Sequence, residues 1–261
     1  MLDTEAAELL RALLAGQREM LGERLVGLYL RGSLVAGDFD PLTSDVDALC
    51  IVDTAVTDAE FGRLVALHQR LADLPNRFAT DLELAYLSRE AARRWRPGEA
   101  HPTLSRGSGS LTYQVHGENW VLERWTILNA GESRLYGPAP QELFDPVTFA
   151  QLRAAVLHRL RDWQAFALTP QDPAWGHRGH AAYVIETMCR ALQTLATWQL
   201  GSKRAALRWA QVNLPEPWRD LSVRAPQWKS DAAHDPALNR TVQAFVLWTA
   251  KRAESLPASL P

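Results

Sequence analysis

Leu28-Tyr29-Leu30-Arg31-Gly32-Ser33, followed after a loop by Thr43-Ser44-Asp45-Val46-Asp47-Ala48-Leu49, is the stretch on which the reading of this chain turns. Residues two apart in a strand point the same way, so Asp45 and Asp47 present two carboxylates to one point in space. Carboxylates that close repel each other unless a divalent cation lies between them, and hard oxygen ligands suit Mg²⁺ held together with substrate phosphates. Upstream, Gly32 lets the backbone approach a phosphate closely. The Ser33 hydroxyl and neighbouring amides can donate to β- and γ-phosphate oxygens. Strand, Gly-Ser turn and Asp-x-Asp strand together describe a site for a metal and a triphosphate.

Working outward, Leu25 to Leu30 reads as a short buried strand and Val46 to Val52 as a second, separated by a loop containing Gly, Asp and Pro. Before them, residues 4 to 22 place Ala, Leu and Met at helical spacing, with Thr4 as the candidate N-cap. After them comes a helix from about Asp58 to Leu74, ended by Pro75. A third strand, Thr80 to Leu87, then carries Asp81 and Glu83 on one face. Glu83, or in second place Asp81, completes the metal site and accepts the proton of an attacking hydroxyl. In-line displacement at the α-phosphate then releases pyrophosphate. From Arg96 to Gly117, Pro97, Gly98, Pro102, Gly107 and Gly109 among Ser and Thr argue for loop, and Trp120 to Leu128 resumes a helical period.

The turn-rich connector Gly131 to Pro146 marks a domain boundary, giving domains 1–146 and 147–261. Beyond it the texture changes to long helical patterns at Phe149 to Leu168, His180 to Leu200, Ser202 to Asn213 and about Pro236 to Ser255. The expected fold is therefore an α/β (α+β) domain with a short mixed sheet, followed by an all-α bundle, with the active site in the cleft between them. Pro257 to Pro261 reads as a frayed tail.

With 47% apolar and 22% charged residues, the 261-residue composition is that of an ordinary globular protein. A net charge of −2, with the 28 Lys and Arg spread along the chain, lacks the basic footprint of a nucleic-acid binder. Cys50 and Cys189 are too far apart for a paired zinc or disulfide motif and read as packing residues. The start Met1-Leu2-Asp3-Thr4-Glu5 has no leader pattern, and no apolar run nears the roughly 18 residues of a membrane span. A cytoplasmic, monomeric protein without a membrane or nucleic-acid partner is expected. His177 and His180, three apart with no third ligand nearby, read as structural or solvent-facing.

The motif resembles the nucleotidyltransferase superfamily that includes DNA polymerase β, and more closely the aminoglycoside adenylyltransferases. Leu143-Phe144-Asp145-Pro146-Val147, Thr187 through Arg190, Gly201-Ser202-Lys203, Trp209-Ala210 and Leu214-Pro215 look like the C-terminal helical domain of the streptomycin/spectinomycin 3″-adenylyltransferases, so the likeness runs from about 25 to 230. The resemblance implies ATP as donor, triphosphate contacts from Ser33 and Ser44, metals on Asp45 and Asp47, and Glu83 as catalytic base. It also implies that Arg190 and Lys203 neutralise phosphate charge from the helical domain. Trp120, in Gly117-Glu118-Asn119-Trp120, resembles a tryptophan that packs on the aminoglycoside, with Glu118 or Glu123 available to an amino-sugar cation. Trp228 is a further candidate, for stacking on adenine.

Two departures stand out. The loop from Ser33 to Asp45 is longer than in the resistance enzymes, and His180 stands where streptomycin-accepting members carry an acid, which removes a counter-ion for a cationic drug. The implied activity is Mg²⁺-dependent transfer of AMP from ATP to a hydroxyl of an aminoglycoside or aminocyclitol, an antibiotic-resistance chemistry. The alternatives are AMP transfer to a protein hydroxyl and a nucleotide-binding regulator without catalysis.

Overall fold

The computed structural model describes residues 3–129, 132–169 and 176–257, and the chain divides into two units, Met1–Val147 and Thr148–Pro261. The first unit opens with α1 (Thr4–Leu21), whose amphipathic period buries Leu9, Leu10 and Leu13. Its cap is Asp3 rather than Thr4: the Asp3 carboxylate accepts from the Glu5 and Ala6 amides at 3.0 and 3.2 Å, and Thr4 is already helical. Next come β1 (Leu25–Leu30), a four-residue helix α2 (Ser33–Ala36) within the segment expected as loop, and β2 (Val46–Val52). Helix α3 (Asp58–Ala72) starts at a capping box in which Thr57 and Glu60 satisfy each other's amides, and it stops short of Pro75. Then follow β3 (Leu82–Ser88), α4 (Arg89–Arg93), β4 (Ala100–Leu104), β5 (Leu111–Val115), α5 (Asn119–Asn129), β6 (Arg134–Tyr136) and α6 (Pro140–Leu143).

The strands form one mixed six-stranded sheet in the order β5-β4-β3-β2-β1-β6, with β2 and β3 parallel and the other neighbours antiparallel. β1 and β2 are buried at every position because both faces of the sheet are covered. On one face Ala48, Cys50, Leu84 and Tyr86 pack against α1 and α3. On the other, Leu49, Ile51, Ala85 and Leu87 pack with Trp120 and Ile127 of α5. Asp47 and Glu83 have the parity of Leu49 and Ala85, which turns them to the α5 side.

Two expectations are corrected. The segment from Arg96 to Gly117 is a hairpin, β4 and β5, rather than a loop. β4 pairs with β3 only at Thr103 and Leu104, stopping at Pro102, which has no N–H to give. β5 is an edge strand with Tyr113 and Val115 exposed. The pairing partner, not local propensity, makes these residues strands. The connector after α5 likewise contributes β6, which pairs with β1, and the short α6; Gly131 itself lies outside the described residues.

The second unit is helical: α7 (Phe149–Ala167), α8 (Arg178–Thr197), α9 (Lys203–Asn213), α10 (Trp218–Arg224) and α11 (Pro236–Glu254). α10 was not expected; its seven residues are too few for a period to stand out. Ile185, Met188, Cys189 and Leu192 of α8 are buried, as are Val242, Phe245 and Val246 of α11, and Trp218 stacks on Phe245 at 5.1 Å. Both cysteines are free and buried. Of the expected tail, residues 258–261 lie outside the described residues. No helix is long and apolar enough to cross a membrane among the described residues.

Candidate active site

The site is built at the end of the sheet where β2 begins. Asp47 in β2 and Glu83 in β3 are register partners on adjacent parallel strands, and Asp45 immediately precedes β2. One carboxylate oxygen of each lies within 4.8 Å of the others, the one such acid group among the described residues that suits a metal ion. Asp47 is 8% exposed. Burial pushes its carboxyl up to about 7; Arg31 pulls it back in part, while Asp45, Glu123 and Glu83 add repulsion. Three convergent carboxylates, one of them buried, are unfavourable alone and fit a hard divalent cation. Glu83 belongs to this group and Asp81 does not: Arg106 Nε holds Asp81 at 2.9 Å.

Gly32 is required by geometry. Its backbone sits at φ 62° and ψ −142°, and a Cβ there would lie 2.1 Å from Asp47 Oδ2. The Arg31 amide then donates to the Asp47 carbonyl at 3.1 Å, tying the turn to β2. The Ser33 hydroxyl is buried without a hydrogen-bond partner among the described residues, an orphaned donor beside the acids' strand. Ser44, in contrast, is engaged: its hydroxyl accepts from the Asp40 amide at 3.0 Å and its own amide donates to the Asp40 carbonyl, closing the loop ahead of Asp45.

Sequence reasoning passed over two cations. Arg31, with 14% of its side chain exposed, reaches Asp47 at 3.4 Å and Glu83 at 3.7 Å through one terminal nitrogen and Glu123 at 3.3 Å through the other. Its Nε donates to the Ala48 carbonyl at 3.3 Å. Burial disfavours its charge, but Glu123, Asp47 and Glu83 together outweigh that and raise its pKa. Arg106, from the turn between β4 and β5, stands 3.8 Å from Asp45 as well as on Asp81. A cation directly before Gly32 at a strand end was the available signal for Arg31; Arg106 had none, because its turn reads as loop.

Other expected residues are placed differently. Trp120 is core: it is 5% exposed, with its ring 4.9 Å from His116, so stacking on an acceptor is not open to it in this conformation. Glu118 is half-buried just ahead of α5, and Glu123 faces Arg31. In the second unit, Arg190 is half-buried on α8 and Lys203 opens α9 with its ammonium 4.7 Å above the Tyr183 ring. Trp228 is buried beneath Arg224 and so is a packing residue. His177 contacts the Ala232 carbonyl at 2.8 Å and packs on His234, and His180 sits among Trp163, Phe166 and Tyr183.

Residues 142–252 match the family described as aminoglycoside adenylyltransferase, C-terminal domain. Aminoglycoside (3'') (9) adenylyltransferases of Klebsiella pneumoniae, Shigella flexneri and Escherichia coli are each 31% identical over 93 residues, which is 36% of this chain. The matched stretch spans 32%, about a third, of those curated relatives. A spectinomycin adenyltransferase from Enterococcus faecialis, solved with ATP and spectinomycin, shares the fold at a TM-score of 0.73 and 17% identity, over 95% of this chain and 99% of that one. The family resemblance carried by the sequence motifs is thereby supported, and the shared fold agrees with the expected α/β domain followed by a helical one.

Proposed function

We propose that this chain is an adenylyltransferase that moves AMP from Mg²⁺-ATP to a hydroxyl of an aminoglycoside or aminocyclitol antibiotic, releasing pyrophosphate, and that it does so in the cytoplasm, where ATP is available. The observation that carries the reading is the convergence of Asp45, Asp47 and Glu83 within 4.8 Å beside the Gly32-Ser33 turn. The names of the curated relatives and the ATP and spectinomycin of the structural neighbour support the donor and the acceptor class.

Asp45 and Asp47 would hold the cation, which when bound would supply charge neutralisation to the triphosphate. Gly32 leaves room for close approach, and the Ser33 hydroxyl, without a partner among the described residues, donates to a phosphate oxygen. Glu83, half-exposed where Asp47 is buried, is the carboxylate that takes the proton from the attacking hydroxyl. Ser44 supports the triphosphate site by fixing the loop before Asp45. Arg190 and Lys203 are proposed as phosphate-neutralising cations on the family resemblance, and Glu118 as a partner for a cationic acceptor.

The test is pyrophosphate release from Mg²⁺-ATP with streptomycin, with spectinomycin, with other aminoglycosides and without acceptor, using Glu83→Gln as control. Release that needs one of the drugs and vanishes in the variant is the expected result. Release independent of any drug, or undiminished in Glu83→Gln, overturns the proposal.

A further inference from the structure

Arg31 occupies the position that decides how much of the acid cluster's charge is left for a metal. Its planar fork is shared: one terminal nitrogen faces Asp47 and Glu83 at 3.4 and 3.7 Å, the other faces Glu123 at 3.3 Å. Nε on the Ala48 carbonyl prevents the group from leaving altogether. Glu123 is itself well anchored. On the same helix Trp120 is buried in the core, and the Arg124 guanidinium donates to the Arg93 carbonyl and, at 2.9 Å, to the Asp145 carbonyl. Arg31 and Asp47, with 14% and 11% of their side chains exposed, lie where charges act on one another more strongly than at the open surface.

We propose that Glu123 sets the divalent-cation affinity of the Asp45-Asp47-Glu83 group indirectly, by holding Arg31's charge away from Asp47 and Glu83. This rests on the metal role proposed above for Asp45 and Asp47, with the Glu83 carboxylate beside them. With Glu123 in place, the guanidinium is divided between α5 and the acids, which stay electron-rich enough to bind a cation. Without it, Arg31 turns its full charge onto Asp47 and Glu83 and competes with the metal. Glu123 and Arg31 are thus positioning residues, acting on the site through charge and not by touching a substrate.

The proposal is tested by titrating the full-length protein with Mn²⁺ alone and following free Mn²⁺ by electron paramagnetic resonance, with no nucleotide and no turnover. Glu123→Gln, nearly isosteric, is expected to weaken Mn²⁺ binding roughly tenfold, the lower end of the effect of residues that orient metal ligands. Arg31→Met is expected to strengthen it. In the double variant the affinity should equal that of Arg31→Met, because Glu123 has nothing left to act through. If Glu123→Gln weakens binding as much in the Arg31→Met background as alone, Glu123 acts directly and the proposal falls. If Arg31→Met does not fold, Arg31→Gln takes its place, and unchanged affinity in Glu123→Gln alone is sufficient to overturn the idea. Failure of the unaltered protein to bind Mn²⁺ removes the metal-site reading and this inference with it, whereas binding with an additive cycle removes the inference only.

Discussion

Replacing Gly32 by Ala tests the site's geometry most directly. At φ 62° and ψ −142° a residue with a Cβ is held where essentially only glycine is found, a strain of about 2 to 3 kcal/mol. For a unit of this size that is roughly 5–10 °C in Tm. The added methyl would also stand 2.1 Å from Asp47 Oδ2, whereas contacts closer than 3.0 Å are essentially never seen, so the carboxylate must retreat by about 1 Å. A misplacement of about 1 Å in a reacting group can lower turnover on the order of a hundredfold. Gly37 is the internal control. It is left-handed at φ 68° and ψ 27°, and a Cβ there meets nothing within 4 Å. Gly37→Ala should therefore lose only about 1 kcal/mol and keep its activity. Thermal melts and pyrophosphate release measured side by side decide the matter. A Gly32→Ala protein that melts and turns over like Gly37→Ala would refute the claim that Asp47 is held against this turn.

Other outcomes follow from single contacts. Asp47→Ala should abolish turnover while leaving apo stability at pH 8 undiminished, since it removes a buried carboxylate that Asp45 and Glu83 repel; a melt showing lost folding would contradict this. Burial holds His68 down to about 4, and His116 likewise. Both are neutral in the fold but take up a proton below about 6.5 when the chain unfolds, so stability is full above that pH and declines towards pH 4. For His68 the loss is up to roughly 3 kcal/mol. Urea midpoints at pH 7 and 4.5 should show the decline, and His68→Gln should lessen it; an unchanged slope in the variant would mean His68 is not the group. Glu60→Ala removes the half of the capping box in which its carboxylate accepts from the Thr57 amide at 2.8 Å, and with it the partner that Arg24 holds at 2.7 Å. About 1–3 kcal/mol of stability should go with it, read from the urea midpoint, with turnover in the native state unaffected.

How far the chain could be read without coordinates differs from element to element. β1 and β2 were legible to the residue, because continuous apolar runs between turn-forming residues admit few other structures. The long helices α3, α7, α8, α9 and α11 were legible to within a few residues, their apolar periods extending over several turns. The hairpin of β4 and β5 was not, because Gly, Pro and Ser dominate it locally and only the neighbouring β3 makes it a sheet. β6 was hidden for the same reason, its three residues being strand only by lying beside β1.

The site divides along the same line. Sequence alone determined the pattern of the acids: an Asp-x-Asp at a strand start, a Gly-Ser turn before it and a third acid on the next strand, because the two-residue period of a strand fixes which carboxylates share a face. Tertiary structure decided everything that depends on which elements become neighbours. The parallel pairing of β2 with β3 set Glu83 opposite Asp47 and left Asp81 to Arg106. Packing α5 on the sheet buried Trp120 and brought Glu123 to Arg31, residues ninety-odd positions apart that no local pattern could connect. The counter-charge of the acid cluster thus emerges only when the chain folds, since Coulomb interactions between side chains depend on distance in space and not on separation in sequence.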